Sequence, residues 1–396
     1  MTRKGLVESF EISVPQRDLD DLRHRLARTR SDDFDHSGWQ YGTEARYLDE
    51  LVSHWLDAYD WRAHEARMNS WSHHRTTIEG QVVHFVLAPG HGPKPLPLVL
   101  THGWPWTFWD FEQVIAPLSD PTRFGGDSRD AFDVVVPALP GHPFSAPARA
   151  PLDCWIIGDL WQQLMVDVLG FDRYGAQGGD WGAVVTAYLA HAHADHLVGA
   201  HMTFPVMLEA GLPIGKFDPE QNDYAAGEGD WAEHTARGLV AARSHVAVHR
   251  GSPHSLAHAL ADSPAGLLSW IVERRRAFSD CDGDVEACFS KDELITTAAL
   301  YWFSGTVASS LRFYADHYAS PFRPVHERRP VLEAPVGIAV FPRELALLPK
   351  RFVARHANLQ HWSVMPRGGH FAPSEQPGLL VEDLRAFFRP LRDSLD

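Results

Sequence analysis

At 396 residues, with 36 Lys and Arg against 51 Asp and Glu for a net charge of −15, the chain is too long for a small stapled scaffold and carries no basic run that would track phosphates, so nucleic acid is not an expected partner. Hydrophobic residues are 44% and charged residues 22%, and no window nears the roughly 18 apolar residues of a membrane span, so a soluble folded protein is expected. Cys154, Cys281 and Cys288 cannot all pair, and the opening stretch has no apolar signal core; this predicts a reduced, cytoplasmic protein.

Leu19, Leu22 and Leu26 at helical spacing predict an amphipathic helix over 15–30, with Pro15 at its start. A second helix is expected over 43–58 from Leu48, Leu51, Val52, Trp55 and Leu56, with Thr43 available as its N-cap. Thr76–Ile78 and Gln81–Leu87 read as two strands around the Glu79-Gly80 turn. From Leu96 onward, short apolar runs at 98–100, 132–136, 174–176, 197–200, 336–341 and 362–365 end in Gly, Pro or another turn and alternate with helical stretches. Runs apolar on both faces belong to a parallel sheet covered on both sides, so the fold class is α/β, a doubly wound sheet. Residues 206–320 break that rhythm with helical sequence and no clear strand, and read as an inserted helical cap. The expected division is an N-terminal helical extension over 1–74, core over 75–205, cap over 206–320 and core again over 321–396.

The sharpest chemical signal is Gly178-Gly179-Asp180-Trp181-Gly182, between an apolar strand and an Ala-rich helix. Small residues around one reactive side chain in that context form a nucleophile elbow, here with a carboxylate that is ionised at neutral pH and faces a helix N-terminus. A carboxylate that becomes an ester needs a His base, oriented by an acid, to activate water in a second step. His370, after Gly368-Gly369, and Glu344, after Phe341-Pro342-Arg343, follow the last two apolar strands and complete the order nucleophile, acid, His. The loop His102-Gly103-Trp104-Pro105 is expected to supply the Trp104 N–H, with that of Trp181, as an oxyanion hole. Trp104, Trp181, His102 and Pro105 are also assigned to the substrate pocket. His191, His193 and His196 lack a further ligand at suitable spacing, and Asp282, Asp284 and Glu286 lack the Gly and closing Glu of a calcium loop, so no metal is expected.

The motifs HGWP (102–105), PALPGHPFS (137–145), GGDWG (178–182), YWFSGTVASSLRFY (301–314), FPRE (341–344) and RGGHF (367–371), with the opening region around Trp39, 59–62 and Asn69, resemble epoxide hydrolases of the microsomal type over nearly the whole chain. The resemblance implies the α/β-hydrolase fold and hydrolysis of an epoxide to a vicinal diol with no metal or organic cofactor, the partners being a small-molecule epoxide and water. It implies Asp180 as nucleophile, His370 as base, Glu344 as its partner, and Tyr314 as the cap tyrosine that protonates the ring oxygen. The membrane anchor of mammalian members has no counterpart expected here. Where family members place a second cap tyrosine, a gapless count back from Asp262 gives His245, with His249 four residues on. His245 is therefore weighed as a second ring-oxygen donor, which would be cationic with a pKa near 6.5, against an inert cap histidine. The many aromatic residues suggest an apolar, aromatic or polycyclic epoxide. A dehalogenase with the same triad and a non-catalytic ligand-binding relative are the alternatives, and a homodimer is left open.

Overall fold

The computed structural model describes residues 6–30, 38–145, 151–210 and 219–393. In chain order, the described elements open with β1 (Glu8–Phe10), α1 (Gln16–Leu26), α2 (Ala45–Asp57), α3 (Trp61–Met68), β2 (Ser72–Ile78), β3 (Gln81–Ala88), β4 (Leu96–Thr101), α4 (Glu112–Ser119) and β5 (Phe132–Pro137). Next come α5 (Cys154–Gln163), β6 (Tyr174–Gly178), α6 (Trp181–Ala192), β7 (Leu197–Met202) and the helices α7 (Trp231–Gly251), α8 (Pro253–Leu260), α9 (Pro264–Phe278), α10 (Lys291–Ser304) and α11 (Val307–Tyr318). The chain closes with β8 (Leu332–Val340), α12 (Lys350–His356), β9 (Ala357–Val364), α13 (Ala372–Glu375) and α14 (Pro377–Asp393).

The strands form one sheet in the order β1-β2-β3-β5-β4-β6-β7-β8-β9. β1, β2, β3 and β5 pair antiparallel in succession, and every pairing from β5 through β4 to β9 is parallel. β6 and β7 are buried along their full length because helices cover both faces, which is why their sequences read as continuous apolar runs without alternation. β1 carries only three residues at the sheet's edge and leaves no such run.

The five helices α7–α11 leave the sheet between β7 and β8 and stand over the carboxyl ends of its strands. They are tied to core loops by side-chain bonds to backbone: Tyr301 Oη donates to Trp106 O at 2.7 Å and Ser309 Oγ to Gly141 O at 2.6 Å. Gly305, in left-handed conformation at φ 66°, ends α10 and lets the chain turn at once into α11, which carries Tyr314. The N-terminal helices pack on this helical layer, Arg25 pairing with Asp262 at 2.7 Å and Tyr59 Oη bonding Thr296 Oγ1 at 3.0 Å. Leu19, Leu22 and Leu26 face inward on α1, as their spacing predicts. Thr43 is not the cap of α2: Glu44 holds that position without a side-chain bond, because the helix begins one residue later than a Thr43 cap requires, and the Thr43 hydroxyl donates to Ser269 O of α9 at 2.8 Å. No helix among the described residues is long and apolar enough to cross a membrane.

Asp383 on α14 locks the far face of the sheet. Its carboxylate accepts from His201 Nε2 on β7 at 2.8 Å, from His361 Nε2 on β9 at 2.8 Å and from Ser363 Oγ at 2.5 Å. Burial raises its pKa, but the bonds from His201 and His361, the His201 charge and the Ser363 bond outweigh it and hold the carboxyl well below the usual range. A depressed folded-state pKa stabilises the fold above the unfolded value of about 4, and that contribution is lost as pH falls through the folded value. Asp383→Ala should lower stability by about 3 kcal/mol at pH 7, by leaving the buried His201 and the half-buried His361 without their acceptor, and the deficit should shrink in urea titrations at acid pH.

Candidate functional site

The site forms where β6 ends and α6 begins. Asp180 sits at that bend with φ 49° and ψ −127°, a conformation that costs a non-glycine residue about 1–3 kcal/mol. The bend is possible because its surroundings carry no side chains: a Cβ on Gly182 would lie 1.9 Å from Thr101 O, and one on Gly103 would lie 1.9 Å from Asp180 Oδ1. The spacing G-x-D-x-G thus answers a packing demand, and the Gly of the HGWP loop gives way to the carboxylate itself.

Each carboxylate oxygen of Asp180 has its own donor. Trp104 N–H donates to Oδ1 at 2.7 Å, and His370 Nε2 lies 3.2 Å from Oδ2. On the other side of the ring, His370 Nδ1 lies 2.6 Å from Glu344 Oε1, which also accepts the Leu345 N–H at 2.5 Å. Both ring nitrogens therefore face carboxylates, which only accept, so the resting ring is an imidazolium. Burial alone would lower its pKa; the Glu344 charge, with the Asp180 and Glu344 hydrogen bonds, outweighs that and raises it to about 10. The structure thus brings Asp180, Glu344 and His370 together in one buried chain of contacts.

Above them, Tyr314 from α11 is fully buried, edge-on to Trp181 with ring centroids 4.8 Å apart. Burial first, then the Asp180 charge, pushes its hydroxyl well above 10, so it stays protonated and able to donate. His245 from α7 joins it, with Nε2 3.4 Å from Tyr314 Oη and its ring stacked on Trp104. The expected charge on His245 is not there: burial, then His249 and Arg274, hold the imidazole well below 6.5, so it is neutral at physiological pH. Its neighbour His249 accepts from Trp270 Nε1 at 3.0 Å and is held down to about 3, chiefly by burial.

A narrow cavity opens beside Asp180, walled by Trp181, Val184, Phe204, Leu239, Val246 and Tyr318. Of the four expected pocket residues only Trp181 lines this wall; His102, Pro105 and Trp104 do not. His102 is enclosed below the site, its Nδ1–H donating to Gly103 O at 2.9 Å while Nε2 accepts the Leu139 N–H at 3.0 Å, so it shapes the loop. Pro105 is buried, its carbonyl accepting from Arg275 Nη2 at 3.0 Å. Trp104 lies one layer back, behind His245 and Tyr314, and the Trp181 N–H makes no described bond to the carboxylate.

Arg275 escaped the sequence reading. It lies on α9, nearly fully buried, and pairs with Asp110 at 2.7 Å while holding Pro105 O, which fixes the loop that presents the Trp104 N–H. Asp110 in turn accepts the Thr107 N–H at 2.7 Å. An Arg inside a helical stretch and an Asp 165 residues earlier share no local pattern; only the packing pairs them. His191, His193 and His196 are each held by a backbone carbonyl or by Asp159, with distances of 2.7–2.9 Å.

Asp180→Asn should drop the His370 pKa several units from about 10, because one of two flanking anions is removed while burial stays. Titration of the imidazole Cε1–H resonance reads this directly; an unmoved pKa would mean Glu344 alone sets it.

The family model for the epoxide hydrolase N terminus matches residues 7–111, and that for the alpha/beta hydrolase fold matches residues 97–230. Over 96% of this chain and 88% of its own length, epoxide hydrolase 1 of Oryctolagus cuniculus is 30% identical. A Stigmatella aurantiaca relative, provisionally named an epoxide hydrolase, is 38% identical over 98% of this chain and 86% of its own. The structure of Bombyx mori juvenile hormone epoxide hydrolase superposes with a TM-score of 0.85 at 25% identity, covering 99% of this chain and 96% of that one. That of Aspergillus niger epoxide hydrolase gives 0.84 at 26% identity, covering 98% and 97%. With its N-terminal region, its parallel sheet and its cap all shared with these enzymes, the chain belongs to the epoxide hydrolase family and is a hydrolase.

Proposed function

We propose that the protein opens an apolar epoxide to a vicinal diol through an ester on Asp180. The observation that carries this reading is the placement of a buried, protonated phenol, Tyr314, across the cavity from a carboxylate whose other contacts are a backbone N–H and an imidazolium. In the first step Asp180 Oδ2 displaces the epoxide oxygen at carbon, and the C–O bond electrons go to that oxygen, which takes its proton from Tyr314. His245, neutral and in contact with the Tyr314 hydroxyl, supplies a second N–H in the tautomer protonated at Nε2.

Ester formation neutralises Asp180, and with it goes one of the charges that kept His370 protonated. The ring then loses its proton to solvent and becomes the base that the second step needs, still oriented by Glu344. Water deprotonated by His370 adds at the ester carbon, and the negative charge develops on Oδ1, where the Trp104 N–H already points and the adjacent Trp181 N–H can join. Collapse of this intermediate breaks the bond to the diol oxygen, which takes the proton of the newly added hydroxyl as the carboxylate is restored; His370 keeps the proton taken from water, and the proton it shed earlier returns the Tyr314 phenolate to phenol through solvent. The cavity's wall supports a neutral substrate with apolar or aromatic substituents, because Asp180 is the one charged group that lines it among the described residues.

His370→Gln should accumulate the ester, seen as a mass increase of one substrate on the Asp180 peptide. One turnover of the unaltered enzyme in ¹⁸O water should leave the label in that peptide, and label in the diol instead would remove the covalent step. Tyr314→Phe should slow ester formation by roughly 10²-fold or more in stopped flow. His245→Phe should slow it less and leave its pH dependence unmoved, because the ring it replaces is already neutral; a lost limb near pH 6.5 would show a cationic donor.

A further inference from the structure

The loop that carries His370 is bonded to a segment of the cap. His370 N–H donates to Phe278 O at 2.9 Å, at the end of α9, and Gly368 N–H donates to the Asp280 carboxylate at 2.8 Å. Between the two segments lies Glu375. Its Oε1 accepts the Phe371 N–H at 2.8 Å, and its Oε2 accepts both the Gly369 N–H at 3.0 Å and the Asp280 N–H at 2.8 Å. One carboxylate thus holds the backbone on each side of His370 and the cap residue opposite. The contact is close: a Cβ on Gly369 would lie 2.7 Å from Phe278 O.

We propose that Glu375 is a positioning residue for His370, clamping residues 369 and 371 to the cap at Asp280 so that the imidazole stays aimed at Asp180 through the hydrolytic step. The need arises from the reaction read above, on which this inference rests. While Asp180 is a carboxylate, the imidazolium is drawn to it; once Asp180 is an ester that attraction is gone, and only the Glu344 bond and the backbone hold the ring in place. Ring opening does not call on the clamp, whereas water activation does. Burial pushes the Glu375 carboxyl up to about 7 against the pull of its three N–H donors and His370, so its ionised form costs the fold stability, as is common for groups kept for what they hold.

The test compares the full chain with Glu375→Gln and Glu375→Ala, using styrene oxide as the probe. Rapid-quench mass spectrometry follows ester formation and ester hydrolysis separately, and amide hydrogen exchange is measured without substrate. In both variants ester formation should be unchanged, ester hydrolysis should slow by about 10- to 100-fold, and exchange at Gly369, Phe371 and Asp280 should quicken locally. Faster local exchange with undiminished hydrolysis would overturn the proposal, as would an equal loss in both steps with exchange raised throughout the chain, which marks a general fold defect. Failure of the unaltered enzyme to form an ester with any epoxide would sink the reaction instead, and the exchange data would still report whether the clamp exists.

Discussion

A buried imidazolium between two carboxylates is the interaction on which the rest of the site depends. Three such groups packed together are costly, and backbone N–H donors to Asp180 Oδ1 and Glu344 Oε1 offset part of that cost, while Glu344 Oε2 is buried without a partner among the described residues. Glu344 is enclosed and takes a backbone N–H in addition to the ring; Asp180 takes the Trp104 N–H. The arrangement is also self-limiting in a chemically useful way. In the proposed reaction the same proximity that makes His370 a poor base at rest makes its basicity conditional on the loss of the Asp180 charge, so hydrolysis would follow ring opening in time without any moving part.

The backbone accepts strain to present that carboxylate. Asp180 at positive φ stands over a strand end, with Gly182 and Gly103 removed from its way, and the sheet's two most enclosed strands, β6 and β7, give the bend a rigid base. Parallel strands buried on both faces cannot shift register without exposing apolar surface, so the bend is fixed in depth as well as in angle.

Much of this was legible in the sequence because it is local. The elbow needs small residues within two positions of Asp180, strand ends are marked by turn residues, and chain order alone ranks Asp180, Glu344 and His370. What stayed hidden depends on burial or on distant pairing. His245 could be placed by counting, yet its charge could not, since the imidazole's neutrality comes from enclosure beside His249 and Arg274. His102 looked like a pocket residue because it adjoins Trp104, but the loop turns its ring downward to take the Leu139 N–H. Thr43 looked like a cap from its place before the apolar pattern, but the helix starts one residue later, and the hydroxyl donates to Ser269 O, on a helix more than 200 residues away. Arg275 is one of three consecutive arginines and Glu375 a lone charge in a short helical turn, and only the fold shows what each holds.

The cap is divided in its duties. On one side α9 and the segment after it are bonded to the machinery itself: Arg275 to the Trp104 loop, Phe278 and Asp280 to the His370 loop. Buried polar bonds of this kind are directional and tolerate little displacement. α7 meets the cavity through Leu239, Ala242 and Val246, whose contacts are apolar and non-directional, while its His245 bonds Tyr314 and its His234 bonds Glu344 O. Exchanging such residues alters the volume beside the epoxide and leaves the hydrogen-bonded frame intact, because no donor or acceptor is lost. Those three apolar positions can therefore vary while the hydrogen-bonded residues of α7 and α9 keep Asp180, the Trp104 N–H and His370 in register.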